Sequence, residues 1–349
     1  MQINILKASI LAAIITVVSI AGWEIYLRIK GLNICYDDGN ELWSYQRNRV
    51  YLPSTKSTVF IGASRIKYDL DIETWKKLTG NEPIQLAIEG NSPLPVLDDL
   101  ADDENFKGRV VVDVTEGLFF TNAPNNIDVP KEHVKYYHDR TPAQRGSFHI
   151  NHLLESAFVF LDRDNFSSNA FFERLPLQNR KGVFAIPNKW PLEFGRITFE
   201  RQNIMMQRFL TDTNLQRKVT GNWLFFGSIN TEKPAEGKKM DSILVAIKKA
   251  VDKIRLRGGD VLYVRTPSSG WYWQTELKSF PRDKYWDRLL AFTKCQGIHF
   301  DDYPELHFTC PEWSHLGHAD AISFTKHFIQ ILKTEKNWTF FNEQKTSTL

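Results

Sequence analysis

Short runs of mainly apolar residues recur through this chain of 349 residues and alternate with amphipathic segments. An apolar run without polar–apolar alternation is typical of a strand in a parallel sheet, where helices cover both faces. The predicted strands are residues 57–61, 84–88, 109–114, 260–264 and 297–300. The predicted helices between and after them are 72–78, 96–100, 241–256, 286–293 and 319–333. This order predicts an α/β fold with a parallel sheet.

Residues from about 118 to 235 interrupt the alternation. They contain one clear helix, with Thr141 as its cap and Pro142 in its first turn, which we expect to run through Phe160. The remainder is aromatic and rich in asparagine, and we interpret the whole segment as a largely helical insertion over the sheet. The predicted organisation is an anchor (1–27), a connector (28–56), an α/β domain with its insertion (57–333) and a polar tail (334–349).

The N-terminal region is uncharged from Ala8 to Trp23. Extended over residues 3–27, it has the length of about 20 residues that a transmembrane helix needs. A cleavable signal peptide is the alternative, since the three residues ending at Ala21 resemble a small-x-small cleavage site. We favour an uncleaved single-pass anchor, because the helical pattern continues past that point. Both interpretations place the main domain outside the cytoplasm, in the periplasm or at the cell surface.

The charge balance bears on partners, and the cysteine count bears on cross-links. Lys and Arg total 44 against 41 Asp and Glu, a formal charge of +3. With no long basic block, the sequence predicts no nucleic-acid partner. Three cysteines are too few for a disulfide scaffold. Cys295 and Cys310 could form one bridge and leave Cys35 over, or all three could be free thiols.

Three loops at the predicted carboxyl edge of the sheet carry residues suited to nucleophilic catalysis. Ser64 follows the first strand, Gly90 and Asn91 follow the second, and Glu312 and His315 precede the last helix. Ligands of parallel sheets bind at this edge. A histidine can take the proton of a serine hydroxyl, and an acid three residues before it can turn back to fix its tautomer. Glycine and asparagine amides are donors that an oxyanion requires.

Other residues at this edge leave alternatives open. Asp301 and Asp302 are alternative acids to Glu312. Arg265 could bind an anionic sugar or an acyl carbonyl, and a structural ion pair is an equal alternative. A metal site is not expected, since a helix would turn His318 away from Glu312. The chemistry requires no cofactor.

At these residues the sequence resembles the SGNH (GDSL-like) hydrolase superfamily. That family has a serine after the first strand, a glycine after the second and a DxxH motif before the last helix. Ser64, Gly90 and His315 occupy the matching positions, with Glu312 in place of the aspartate. The segments 60–65 and 313–321 are similar to membrane-anchored bacterial members linked to cell-surface glycan modification. The resemblance covers about residues 57–116 and 240–333.

The sequence departs from the family in two places. It has neither a GDS triplet nor a GxND block, and the third strand instead ends in the residues from Asp113 to Glu116. The asparagine donor of that block is therefore missing, and Asn91 is our substitute for it.

The resemblance implies a flavodoxin-like three-layer α/β/α sandwich that removes or transfers acyl groups, often acetyl groups on sugars. We therefore expect a membrane-anchored ester hydrolase or O-acyltransferase acting on an acylated polysaccharide of the cell envelope. Ser64 would be the nucleophile, His315 the general base, Glu312 its orienting acid, and Gly90 and Asn91 the oxyanion donors. The departures favour the alternative, a non-catalytic glycan-binding or assembly component of an envelope polysaccharide machinery.

Overall fold

A five-stranded parallel sheet organises the protein. The computed structural model describes residues 5–53, 56–173, 175 and 186–342. Its strands are β1 (Ser57–Ile61), β2 (Glu82–Gln85), β3 (Arg109–Asp113), β4 (Arg196–Ile197), β5 (Asn203–Ile204), β6 (Asp260–Arg265) and β7 (Gln296–His299). The main sheet has the order β2-β1-β3-β6-β7 with every neighbouring pair parallel, while β4 and β5 form a separate antiparallel pair. The predicted α/β fold on a parallel sheet is confirmed.

Helices connect these strands. They are α1 (Ile5–Ile29), α2 (Asn40–Arg47), α3 (Ser64–Asp69), α4 (Ile72–Thr79), α5 (Leu94–Asp102), α6 (Glu116–Phe119), α7 (Pro124–Asp139), α8 (Pro142–Ala157), α9 (Arg163–Phe166), α10 (Ser168–Glu173), α11 (Gln207–Thr211), α12 (Thr213–Ile229), α13 (Gly237–Leu256), α14 (Gly270–Ser279), α15 (Trp286–Thr293) and α16 (His318–Thr334). Short 3₁₀ turns occupy Val159–Leu161, Phe300–Asp302 and Pro304–Leu306.

Successive residues of the strands enter two different apolar clusters. In β3, Val110 and Val112 join a cluster that includes Leu244 of α13. Val111, between them, joins a second cluster with Trp75 of α4 and residues of α16. Both faces of the strand are thus buried, which accounts for the lack of polar–apolar alternation in its sequence.

The second strand begins and ends earlier than the predicted range of residues 84–88. The β2 ladder covers Glu82–Gln85. Beyond it the chain still runs beside β1, since the amide of Leu86 donates to the Phe60 carbonyl and that of Ile88 to the Gly62 carbonyl. These two bonds carry the loop containing Gly90 to the end of β1 at which Ser64 lies.

The segment 28–56, predicted as a polar connector, contains the packed helix α2. Trp43 is fully buried, and its Nε1 donates to the Leu86 carbonyl at 3.0 Å. Arg47 is equally buried and pairs with Asp99 and Asp103 at 2.6 and 2.9 Å. The charged and amide residues of α2 are typical of a loop, and eight residues are too few to show a helical periodicity. The sequence therefore does not indicate this helix.

The insertion is largely helical in its described part, but it also contains the unpredicted β4–β5 pair. Thr141 caps α8 in a capping box with Gln144, as the sequence indicates, and the helix ends at Ala157 rather than at Phe160. A third apolar cluster ties the insertion to the sheet domain, because Phe194 and Phe209 pack with Tyr68 of α3.

The N-terminal helix α1 is long and apolar enough to cross a membrane, with a mean hydropathy of 2.2 over its most apolar window. The residues of that window are not buried against the rest of the protein.

Of the two alternatives that the sequence leaves open for the cysteines, the free thiols are observed. Cys35, Cys295 and Cys310 form no disulfide bridge.

An ion pair joins the first residue of α16 to the N-cap residue of α4. His318 Nε2 lies 3.1 Å from the Oδ2 of Asp71, the residue that caps α4. The hydrogen bond to Asp71 raises the pKa of His318 above its ordinary value of 6.5. Burial opposes ionisation of Asp71, but hydrogen bonds from His318 and Thr74 outweigh it and lower the pKa of that carboxyl.

Replacing His318 with glutamine should therefore remove a pH-dependent part of the stability. The charged pair stabilises the folded protein below the unfolded pKa of histidine, and this contribution is lost as the pH rises through the raised pKa of His318. The wild type should exceed His318→Gln in thermal unfolding midpoint by more at about pH 5 than at about pH 9. His327→Gln, on the exposed side of the same helix, is the control. A midpoint difference that is the same at both pH values would contradict the role of the pair.

Candidate active site

Ser64 is the first residue of α3 and directly follows the turn that ends β1. This turn requires glycine at position 62, because a Cβ there would lie 2.7 Å from the Cβ of Asp113 and 2.9 Å from Ile66. The side chain of Ser64 is half-buried and lines a large cavity. The strand and the tight turn therefore fix the serine hydroxyl at the carboxyl edge of the sheet, where the sequence predicts it.

The structure brings Ser64, His315 and Glu312 into one hydrogen-bonded series. The Ser64 Oγ lies 2.7 Å from His315 Nε2, and His315 Nδ1 lies 2.9 Å from Glu312 Oε1. In the tautomer that satisfies both contacts, Nδ1–H donates to the carboxylate and Nε2 accepts from the hydroxyl. This is the geometry in which an imidazole can remove the proton of a serine nucleophile.

The acid is held by the turn that links it to the histidine. Glu312 Oε1 also accepts the backbone N–H groups of His315 at 2.6 Å and Ser314 at 3.3 Å. Trp313, inside this turn, has a φ of +79°, a left-handed conformation that is costly for a bulky residue. Such strain persists where the surroundings enforce it, and here the bonds to the carboxylate are the visible restraint.

Trp223, from α12 of the insertion, completes the surroundings of the acid. Its Nε1 donates to Glu312 Oε2 at 2.5 Å, so both carboxylate oxygens are hydrogen-bonded. Glu312 is fully buried and His315 is 1% exposed. A buried carboxylate needs such partners to remain ionised. The sequence does not indicate this role of Trp223, because the residue lies far from the motif in the chain and belongs to no pattern of its own.

Aromatic rings pack around the imidazole. The ring centroids of Tyr68, Phe194 and Trp223 lie 4.5, 5.7 and 6.0 Å from that of His315. Burial, with the nearby charges of Glu89 and Glu312, raises the pKa of Tyr68 well above 10, so its phenol stays neutral. Electrostatic interactions are stronger in such buried surroundings than in bulk water.

The cavity beside Ser64 and His315 has a volume of about 1410 Å³. This exceeds the 300–1,000 Å³ typical of sites for small ligands. The insertion supplies much of its wall, including Trp190 and Trp223, and α14 supplies Trp271. A cavity with this size and these aromatic walls suits a ligand of several linked rings or residues.

The two predicted oxyanion residues differ in their placement. Gly90 lines the cavity with a φ of +65°, and a Cβ there would meet nothing within 4 Å, so backbone conformation rather than space demands glycine. Asn91 is not among the residues that line the cavity, and its Nδ2 donates to the Glu89 carbonyl at 2.7 Å. The structure therefore does not bring the Asn91 amide to Ser64. The Asn91 side-chain amide is instead hydrogen-bonded within the local turn, whose conformation the sequence could not specify.

Arg265 does not line the cavity itself but lies behind Glu276 and Arg65, which do, in a buried ion-pair network. It is fully buried, with Nε 3.0 Å from Glu116 Oε1 and Nη2 2.5 Å from Glu276 Oε2. The other oxygen of Glu276 pairs with Arg65 at 2.5 Å. Burial opposes ionisation of Glu276, but the two arginines lower the pKa of that carboxyl. Of the two alternatives for Arg265, the structural ion pair is the one observed.

The remaining candidates lie apart from the series. Asp302 pairs with Arg282 at 2.6 Å and Asp301 is exposed beside His307, so neither replaces Glu312. His318 faces Asp71 rather than Glu312. In the described part of the chain no three His, Cys, Asp or Glu side chains are grouped as metal ligands.

No family model and no curated protein matches this chain. The similarity to the SGNH superfamily therefore remains a prediction that rests on the motifs around Ser64 and His315.

Removing the indole N–H at Trp223 should slow the reaction of Ser64 without unfolding the protein. Trp223→Phe keeps an aromatic ring but leaves Glu312 Oε2 without this donor. Hydrogen bonds to charged groups contribute about 2 kcal/mol, so the reaction of Ser64 with a fluorophosphonate should slow by at least about tenfold. The measurement is the labelling rate, with the thermal unfolding midpoint followed in parallel.

The matched control is Trp271→Phe, the same substitution at another tryptophan that lines the cavity. Its labelling rate should stay within about twofold of the wild type, a change of less than about 0.5 kcal/mol. Equal rates for the two variants would contradict the positioning role of Trp223.

Proposed function

We propose that this protein is a membrane-anchored serine ester hydrolase or O-acyltransferase that acts on an acylated polysaccharide outside the cytoplasm. The observation that carries the proposal is the hydrogen-bonded series from Ser64 through His315 to the buried Glu312, which opens on a large cavity. A serine hydroxyl is a weak nucleophile until an adjacent base activates it, and here such a base lies at hydrogen-bond distance.

The reaction follows from these three groups. The Ser64 Oγ attacks the ester carbonyl carbon while His315 Nε2 takes the hydroxyl proton, and Glu312 stabilises the imidazolium through Nδ1–H. The tetrahedral intermediate collapses as the ester C–O bond breaks, and the imidazolium gives its proton to the leaving alcohol. A water molecule or a sugar hydroxyl then attacks the acyl carbon while His315 Nε2 takes its proton. The bond from the acyl carbon to the Ser64 Oγ breaks, and the imidazolium returns the proton to that oxygen. Water gives hydrolysis, and a sugar hydroxyl gives transfer.

Two backbone amides support stabilisation of the oxyanion. Ser64 is the first residue of α3, and the N–H groups of a helix's first turn have no partner within the helix. Gly90 lines the same cavity, and no atom lies within 4 Å of the position that a Cβ would occupy there. Each such donor contributes about 3 kcal/mol to transition-state stabilisation in serine hydrolases. Asn91 is left out of this set because it does not line the cavity and its Nδ2 donates to the Glu89 carbonyl.

The proposal includes a flavodoxin-like three-layer arrangement of the SGNH type. Its support is the strand order, in which the second strand lies outside the first and the later strands follow on the other side. The two apolar clusters on alternate strand residues add to it. Fold and chemistry remain separate arguments, since one fold supports many functions.

The anchor and the substrate class rest on two further features. The apolar surface of α1 favours a bilayer around it. The aromatic walls and the volume of the cavity favour a polysaccharide segment over a small ester. We further propose that the substrate belongs to an envelope polysaccharide and that the protein works beside the machinery that makes it.

The function is tested by labelling the full chain in detergent with a fluorophosphonate probe, which reacts with activated serines. The wild type should be labelled on the peptide that contains Ser64. Labelling should be abolished in Ser64→Ala and reduced by at least about a hundredfold in His315→Ala, since the base contributes about 10²–10⁴.

Ser279→Ala, which alters another serine that lines the cavity, should be labelled as the wild type is. If the folded wild type is not labelled, the esterase proposal fails and the non-catalytic glycan-binding component becomes the better account. The aromatic cavity walls are the feature that this alternative would use.

A further inference from the structure

Helix α8 of the insertion has an apolar face that the protein leaves uncovered. Ile150, Leu153 and Leu154 are 63%, 68% and 47% exposed. Their spacing of three and four residues places them on one side of the helix. Three large aliphatic side chains on one exposed face are unusual for a helix that faces only water.

The opposite face of α8 holds the helix to the protein. His152 stacks on Phe199 with ring centroids 4.0 Å apart, and Phe148 packs on Tyr45 at 5.3 Å. Ser156 Oγ lies 3.0 Å from the Tyr36 hydroxyl. The helix is thus docked through its aromatic and polar side and directs its aliphatic side outward. This is the reverse of the orientation in which a surface helix buries its apolar stripe.

The end of α8 contacts the end of α1, the helix proposed to cross the membrane. Arg28 Nη2 donates to the Ala157 carbonyl at 2.9 Å. Glu24 accepts the amides of Val159 and Phe160 at 3.0 and 3.1 Å, so it fixes the turn that follows α8. The exposed face of α8 therefore lies close in space to the end of α1, where the chain would leave the bilayer.

The same end of α1 has the residues of a membrane interface. Trp23 and Tyr26 are 46% and 49% exposed, and aromatic residues of this kind concentrate at the level of the headgroups. Arg28 and Lys30 follow within one turn, and Arg28 pairs with Glu24 at 2.7 Å. The ring centroids of Trp23 and Phe166 of α9 are 6.1 Å apart, so this part of the insertion also lies beside the end of α1.

We infer that α8 lies on the lipid bilayer, with Ile150, Leu153 and Leu154 in the boundary between headgroups and acyl chains. The inference rests on the proposed anchoring through α1, which holds the helix beside the membrane. An amphipathic helix in the plane of the interface buries its apolar face in this way. The membrane then covers a surface that the protein leaves open, and it fixes the orientation of the domain relative to the bilayer.

This orientation has a consequence for the cavity. Residues of α9 line the cavity, and α9 contacts Trp23 at the end of α1. The rim of the cavity therefore lies beside the bilayer surface. An acylated substrate that is tethered to the membrane can reach Ser64 without diffusing into the bulk solvent.

The inference is tested with nitroxide spin labels on full-length protein in phosphatidylethanolamine–phosphatidylglycerol vesicles. Labels are placed on Leu153→Cys and Ile150→Cys in a background where the half-buried Cys35 is serine. The measurement compares collisions of each label with oxygen, which enters lipid, and with a water-soluble nickel chelate. Both labels should collide more with oxygen than with the nickel chelate.

Two control labels make the outcome specific. Val245→Cys, a 57% exposed aliphatic position on α13, should favour the nickel chelate, and Val17→Cys in α1 should favour oxygen. If the α8 labels behave like Val245→Cys while Val17→Cys favours oxygen, the inference fails and the anchor stands. If Val17→Cys also favours nickel, the anchor and the inference both fail. Two labelled positions on α8 guard against a local disturbance by one substitution.

Discussion

A carboxyl group removed from water needs hydrogen-bond partners, and the candidate site is arranged around one such group. Glu312 is fully buried and receives the Nδ1–H of His315, two backbone amides of its own turn and the indole of Trp223. The carboxylate thereby fixes the tautomer and the direction of the imidazole, and the imidazole in turn meets Ser64. Without that charge the histidine would lack the group that stabilises its protonated form.

The sheet and the insertion supply different parts of this arrangement. The strands fix Ser64 and the Gly90 loop at one edge, because β1 ends in a turn that only glycine fits. The insertion adds Trp223 to the acid and Phe194 beside the imidazole, and it forms much of the cavity wall. It also carries α8, whose exposed aliphatic face lies next to the end of α1. In the proposed arrangement, the insertion connects the candidate site to the membrane.

The sequence was informative where local patterns determine structure. β1 and α15 have the predicted bounds, and Ser64, Glu312 and His315 meet because strand order and a short motif suffice to place them. It was uninformative where long-range packing decides. Trp223 reaches Glu312 from another part of the chain, and α2 is defined by burial of Trp43. Arg265 is held in buried ion pairs with Glu116 and Glu276. Asn91 shows a further limit, since the local turn decides where its amide points.

In the proposed reaction, Ser64 carries the acyl group during turnover. The decisive experiment incubates the full chain with an activated acetyl ester, quenches the reaction with acid and determines the masses of the peptides. One added acetyl group is expected on the peptide that contains Ser64, and none on the same peptide from Ser64→Ala. Acetylation spread over lysines, with the wild-type serine peptide unmodified, would exclude this role of Ser64.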